Sequence, residues 1–119
     1  MQPSLWRRIA NSWRDRSRKL ATVDVTAEGV TSTVGRRAAG MLWNDIIRID
    51  CGTRDTITMD VFFVVLHTAS AKVTIDELAD GFRVFEHAMF ERWPQLRERW
   101  VALQCGPLHQ PQYETLWRR

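Results

Sequence analysis

Three histidines, two cysteines and a spaced series of aspartates are the side chains best suited here to proton transfer, nucleophilic attack or metal binding. His67, His87 and His109 fall in different predicted elements. None stands in a motif with a serine or cysteine nucleophile, so a catalytic triad would have to be assembled wholly by tertiary contacts. His87 and Glu91 are one helical turn apart, and Asp60 and His67 bracket one predicted strand. Each pair offers two ligands where a structural metal site takes about four, and a solvated helix face accounts for the first pair. Cys51 and Cys105 have no paired-cysteine motif and no histidine at ligand spacing. That pattern points to two thiols packed in or near the core, not to a disulfide or zinc site. Gly35 and Gly40 lack the lysine and helix cap of a phosphate loop. The expectation is a domain without catalytic residues, metal or cofactor, which binds something instead of transforming it.

Two sets of residues suggest what is bound. Asp45, Asp50, Asp55 and Asp60 recur every five residues and would give an acidic edge able to meet a basic protein. With Tyr113 and Trp117 from the C-terminal tail, Asp45, Asp50 and Asp55 are the candidate partner-binding residues. The alternative is an anionic lipid surface gripped by Arg7, Arg8, Arg14, Arg36 and Arg37. The net charge of +3 conceals an uneven distribution, because residues 1–19 hold six basic side chains and one acid while the remainder holds eleven and thirteen. Basic character thus belongs to the N-terminal segment. Nucleic acid is not expected as the main partner, because the tryptophans there share an apolar helical stripe that most of the arginines avoid.

The elements that must position these residues follow from hydrophobic period. The chain's 119 residues fit one domain, with 45% apolar and 26% charged side chains typical of a globular protein. Six tryptophans are expected to be mostly core, any remainder forming a contact surface. Leu5, Trp6, Ile9 and Trp13 recur at helical spacing and predict an amphipathic helix over 1–18, which docks on the domain's own core, binds a partner or lies on a membrane. From Leu20 the period is two. Val23 and Val25, then Val30 and Val34, predict a hairpin that turns at Glu28-Gly29, where glycine would tolerate positive φ. Gly35–Gly40 is a loop or the start of a third strand. Trp43, Ile46 and Ile49 predict a bulged strand, and Cys51–Asp55 a turn. Thr56–His67 is the strongest strand, apolar on both faces from Val61 to Leu66, so a cover is expected on each side. Val73 and Ile75 end a meander of about five antiparallel strands over residues 20–76.

A capping box at Thr74 and Glu77, or a cap at Asp76, predicts a helix start. Leu78, Phe82, Phe85, Met89 and Trp93 form its stripe, and Gly81 implies close packing or a break in the first turn. Pro94 separates this from a second helix bearing Leu96, Trp100 and Leu103, so helices occupy 77–104. The tail, 105–119, is an edge strand or a strap. The longest apolar run, Val61–Leu66, falls well short of the roughly 20 residues that span a bilayer, and no secretory segment follows the N-terminal basic residues, so a cytoplasmic location is expected.

Trp43-Asn44-Asp45-Ile46-Ile47-Arg48-Ile49, Asp60-Val61-Phe62-Phe63-Val64-Val65-Leu66, Val73-Thr74-Ile75-Asp76-Glu77 and Asp80-Gly81-Phe82 resemble a group of small bacterial domains similar to pleckstrin-homology domains. The resemblance covers about residues 20 to 103. It implies an α+β fold, with the meander forming a complete or incomplete barrel under the helices. It also implies protein binding, including the role of an immunity protein that neutralises a toxin by occlusion.

Overall fold

The computed structural model describes residues 21–56, 58–107 and 110–119. Its first three strands, β1 (Thr22–Val25), β2 (Gly29–Val34) and β3 (Arg37–Leu42), form an antiparallel sheet in sequence order. A 3-10 turn at Trp43–Asp45 leads into a second antiparallel sheet ordered β6-β5-β4-β7. Its strands are β4 (Arg48–Asp55), β5 (Asp60–His67), β6 (Lys72–Asp76) and β7 (Gln112–Arg118). Between β6 and β7 come helices α1 (Phe82–Arg92) and α2 (Arg97–Gln104), joined by a 3-10 turn at Pro94–Leu96. The α+β class expected from the sequence holds. The single meander becomes six consecutive strands split between two sheets, with a seventh supplied by the tail.

Three of the sequence expectations fail locally for visible reasons. Trp43 and Ile46 recur at a spacing of three because they flank a 3-10 turn, where that spacing puts both inward, and the strand begins only at Arg48. Cys51–Asp55 is not a turn but the second half of β4, with Gly52 at its centre. A Cβ on Gly52 would lie 2.4 Å from the Gln112 carbonyl oxygen and 2.8 Å from the Phe63 ring, so glycine here admits close neighbours on both sides. Thr74 lies within β6 and makes no capping box. Glu77 instead extends the sheet, its N–H donating to Phe62 O at 2.9 Å and its carboxylate accepting from Phe62 N at 2.9 Å.

Among the described residues, three of the four hairpins turn on threonine hydroxyls, which compete effectively for nearby backbone N–H groups. Thr26, Thr56 and Thr68 each accept the N–H three residues on, from Gly29, Met59 and Ala71, at 3.1 Å in all three cases. Gly29 does not use positive φ, which belongs to Gly35 and Gly81. At Gly81 the left-handed backbone starts α1, and the missing Cβ lets Val23 O approach to where a methyl would be 2.4 Å away. Val23 N–H and Asp80 N–H then donate to Asp80 O and Ala21 O, closing the outer edge of β1.

One contiguous apolar cluster joins both sheets and both helices. Phe62, Val64 and Leu66 of β5 face it with Ile49, Cys51 and Ile75, while Phe85, Met89, Trp100 and Leu103 descend from the helices. The Phe62 ring stands 5.3 Å from that of Trp100 and 6.3 Å from that of Phe82. Fully buried side chains of this size each contribute roughly 1.5–3 kcal/mol. Glu86 ties the helices together, accepting from Trp100 Nε1 at 2.8 Å and Gln104 Nε2 at 2.9 Å. Val61 and Val65, on the opposite face of β5, are buried as well. The amphipathic helix expected to cover that face lies outside the described residues.

Candidate functional site

β7 pairs antiparallel with β4, so its alternate side chains divide between the helix-covered face and the outer face of the sheet. The register places Thr115 opposite Asp50, Tyr113 opposite Gly52 and Trp117 opposite Ile49, with a shift between Ile49 and Asp50. That bulge lets Tyr113 and Thr115 face outward while Trp117 turns back toward the helices.

On the outer face, Asp50 is fully buried and accepts from donors on three strands. Arg48 Nη2 donates to Oδ2 at 2.7 Å and Arg48 Nε to Oδ1 at 2.9 Å. Thr115 Oγ1 donates to Oδ1 at 2.7 Å, His67 Nε2 meets Oδ2 at 2.8 Å, and the Tyr113 hydroxyl donates to Oδ2. Burial alone would raise the carboxyl pKa; hydrogen bonds from Arg48, Tyr113, Thr115 and His67 outweigh it and hold the group well below the usual carboxylate range. Burial and the bond to Asp50 push the Tyr113 phenol the other way, up. A carboxylate so depressed is a poor base, and a phenol so raised is a poor source of phenolate. The network is a saturated structural acceptor that pins β4, β5 and β7 together.

The second cluster lies where β7 ends beside the 3-10 turn and the end of α1. Trp43, Asn44, Arg92, Trp93, Trp117 and Arg119 line an open cleft of about 310 Å³. Trp93 links the indoles, its ring 5.3 Å from Trp117 and 6.2 Å from Trp43. The Arg92 guanidinium lies 4.9 Å over the Trp43 ring, a cation–π contact, and its Nη2 donates to Ala27 O. Trp43 Nε1 is tied to Thr26 O at 3.0 Å, fixing that ring. Arg119 Nη2 donates to Asn44 O at 2.7 Å. Among the described residues no carboxylate pairs with Arg92 or Arg119, so most of their N–H donors are uncommitted. The cleft thus sets two guanidinium groups beside three indoles.

The residues expected to bind a partner are therefore dispersed. Asp50 is buried and internally satisfied, which removes it from any partner surface; Tyr113 is exposed beside it, its ring 6.1 Å from Phe63. Asp45 and Asp55 are exposed, but Asp45 sits in the 3-10 turn before β4 and Asp55 at the far end of that strand, itself about 23 Å long, so they form no acidic edge with Asp50. Only Trp117 reaches the cleft. Arg36 and Arg37 sit exposed at the β2–β3 hairpin, whereas Arg7, Arg8 and Arg14 lie outside the described residues, as does His109. Cys51 is a buried thiol whose pKa burial pushes strongly upward, and Cys105 is exposed instead of packed. His87 and Glu91 pair at 2.9 Å on a solvated face of α1, and Asp60 and His67 stand at opposite ends of β5. Among the described residues, no three histidine, cysteine or acidic side chains converge as metal ligands, and no helix is long and apolar enough to cross a membrane.

Arg92, Arg119, Trp43 and Trp93 were not singled out by sequence patterning as binding residues. The adjacent pairs Arg92-Trp93 and Trp117-Arg118 were the available signal. No family model, curated protein or solved structure matches this chain.

Proposed function

We propose that this domain binds another protein without catalysis, through the tryptophan–arginine cleft. The observation that carries the reading is the pairing of three indoles with two guanidinium groups that make no ion pair with a described carboxylate. Tryptophan and arginine dominate the energetics of protein contacts when they are grouped in a concave, rigid setting, because they combine large area with directional bonding. At about 310 Å³ the cleft is at the small end of ligand pockets, suited to one or two side chains of a partner instead of a large cofactor. Its charge reverses the direction first expected. The partner contributes acid and the domain contributes the cations.

Neutralisation of a toxin, as the resemblance to small pleckstrin-homology-like immunity domains implies, is one form that such binding takes: the partner's working surface is occluded by the domain. Arg36 and Arg37 at an exposed hairpin keep a lipid surface as the competing reading.

The test is capture of the tagged full chain from its own cells in moderate salt, with the Trp117→Ala protein in parallel. A single stoichiometric protein, retained by the parent and lost by the variant, is the expected result. Recovery of lipid or nucleic acid that washes away as salt rises would overturn the reading.

A further inference from the structure

β7 is an edge strand as well as the wall of the cleft. Among the described residues, in the order β6-β5-β4-β7, its strand partner is β4, and the next residue, Arg119, also donates its N–H inward, to Ile47 O at 2.8 Å. The alternate backbone groups along its other edge make no backbone hydrogen bond among the described residues. The remaining edges are less suited to a partner of this kind. β1 is closed by its bridge to Asp80, and β6 lies at the opposite edge of the sheet from β7; β3 leads into Trp43 but none of its residues lines the cleft, whereas β7 supplies Trp117.

We infer, on the reading above, that the partner enters as an extended segment that adds a strand to β7 and lays an aspartate or glutamate carboxylate on Arg92 and Arg119. Strand addition supplies affinity through main-chain bonds and leaves specificity to pockets for alternate side chains. Residues opposite one another on adjacent strands share a face, so the added residue facing Trp117 projects toward the cleft. Charge selects what that residue is. Glu114, the acid on β7, is already engaged by Arg99, whereas Arg118 stands exposed next to Arg119. The chain's own N-terminal segment is the wrong complement, with six basic side chains against one acid.

The experiment selects a random octapeptide display library on the immobilised full chain, then follows the winners by amide exchange and indole NMR signals. Winners should carry an acid within an extended, β-branched or aromatic context, shift the Trp93 and Trp117 indole resonances and slow exchange of alternate β7 amides. Replacing the acid by its amide, or using the Arg92→Gln/Arg119→Gln protein, should weaken binding about tenfold or more, the cost of one lost charge-assisted bond. Winners that move the indoles without protecting β7 would overturn strand addition while leaving the cleft as the contact surface. Winners without an acid, or equally bound by the double variant, would overturn the carboxylate. A library that yields no winner would overturn the inference, and capture of the protein partner would then still judge the cleft independently.

Discussion

The two clusters on β7 are built from similar side chains and differ in what their cations meet. Around Asp50, an arginine, a histidine, a tyrosine and a threonine all point at one buried carboxylate. Around Trp117, the two arginines meet, among the described residues, backbone carbonyls and the Trp43 indole face. A polar network whose members satisfy one another stabilises and orients strands, whereas directed donors left without an acceptor of opposite charge are available to a ligand. The outer-face network thus helps to hold β7 in place, and the cleft proposed for binding is built on the same strand. Stability and binding should accordingly separate by region.

The largest effect should come from Asp50→Asn, which leaves a partly buried guanidinium and two hydroxyls facing a poorer acceptor. We expect a loss of about 3 kcal/mol in urea unfolding, the lower part of the range for breaking a buried pair because Arg48 reaches water. The pH dependence sharpens this. The folded pKa of Asp50 is depressed, so its stabilisation is present above the unfolded carboxyl value near 4 and fades as pH falls below it. The raised Tyr113 phenol adds a contribution that is present below its ordinary value near 10 and fades as pH rises through the folded one. Parent and Asp50→Asn stabilities should therefore begin to converge as pH falls below about 4 and meet only below the depressed folded value.

Gly52→Ala comes next, at about 2 kcal/mol, because its methyl meets a backbone carbonyl as well as the Phe63 ring. If the unfolding midpoint of that variant were unchanged, the close approach of β7 to β4 at Gly52 would be misdescribed. Tyr113→Phe removes one bond to a charged acceptor from an exposed ring and should cost about 1 kcal/mol by the same denaturation. Arg119→Gln should change stability by no more than about 0.5 kcal/mol, since a surface substitution that loses one carbonyl contact removes little.

Periodicity made much of this legible. The β1–β2 hairpin, β5, β6 and most of the core stripe of each helix follow from apolar spacing, because those patterns are local; Leu78, expected on the first stripe in a helix from 77, instead precedes α1 and is exposed. The second half of β4 was hidden, since a glycine followed by charged residues reads as a turn until Phe63 and Gln112 are known to crowd it. β7 stayed open between strand and strap because its partner lies in the first half of the chain. Asp50 looked like one exposed acid in a series because the donors that bury it come from Tyr113 and Thr115, 63 and 65 positions away. The cleft was partly visible. Trp117 was recognised, but the arginines gain their meaning only from which carboxylates they fail to meet.

The separation of the two regions is tested most directly by one affinity comparison on folded proteins. The captured partner is titrated into the parent, the Arg92→Gln/Arg119→Gln protein and Tyr113→Phe, each first shown to keep its near-ultraviolet circular dichroism. The account predicts that the double variant binds at least about tenfold more weakly, while Tyr113→Phe binds as the parent does. Unchanged binding by the double variant, with loss on Tyr113→Phe, would contradict it and move the contact surface to the outer face of the sheet.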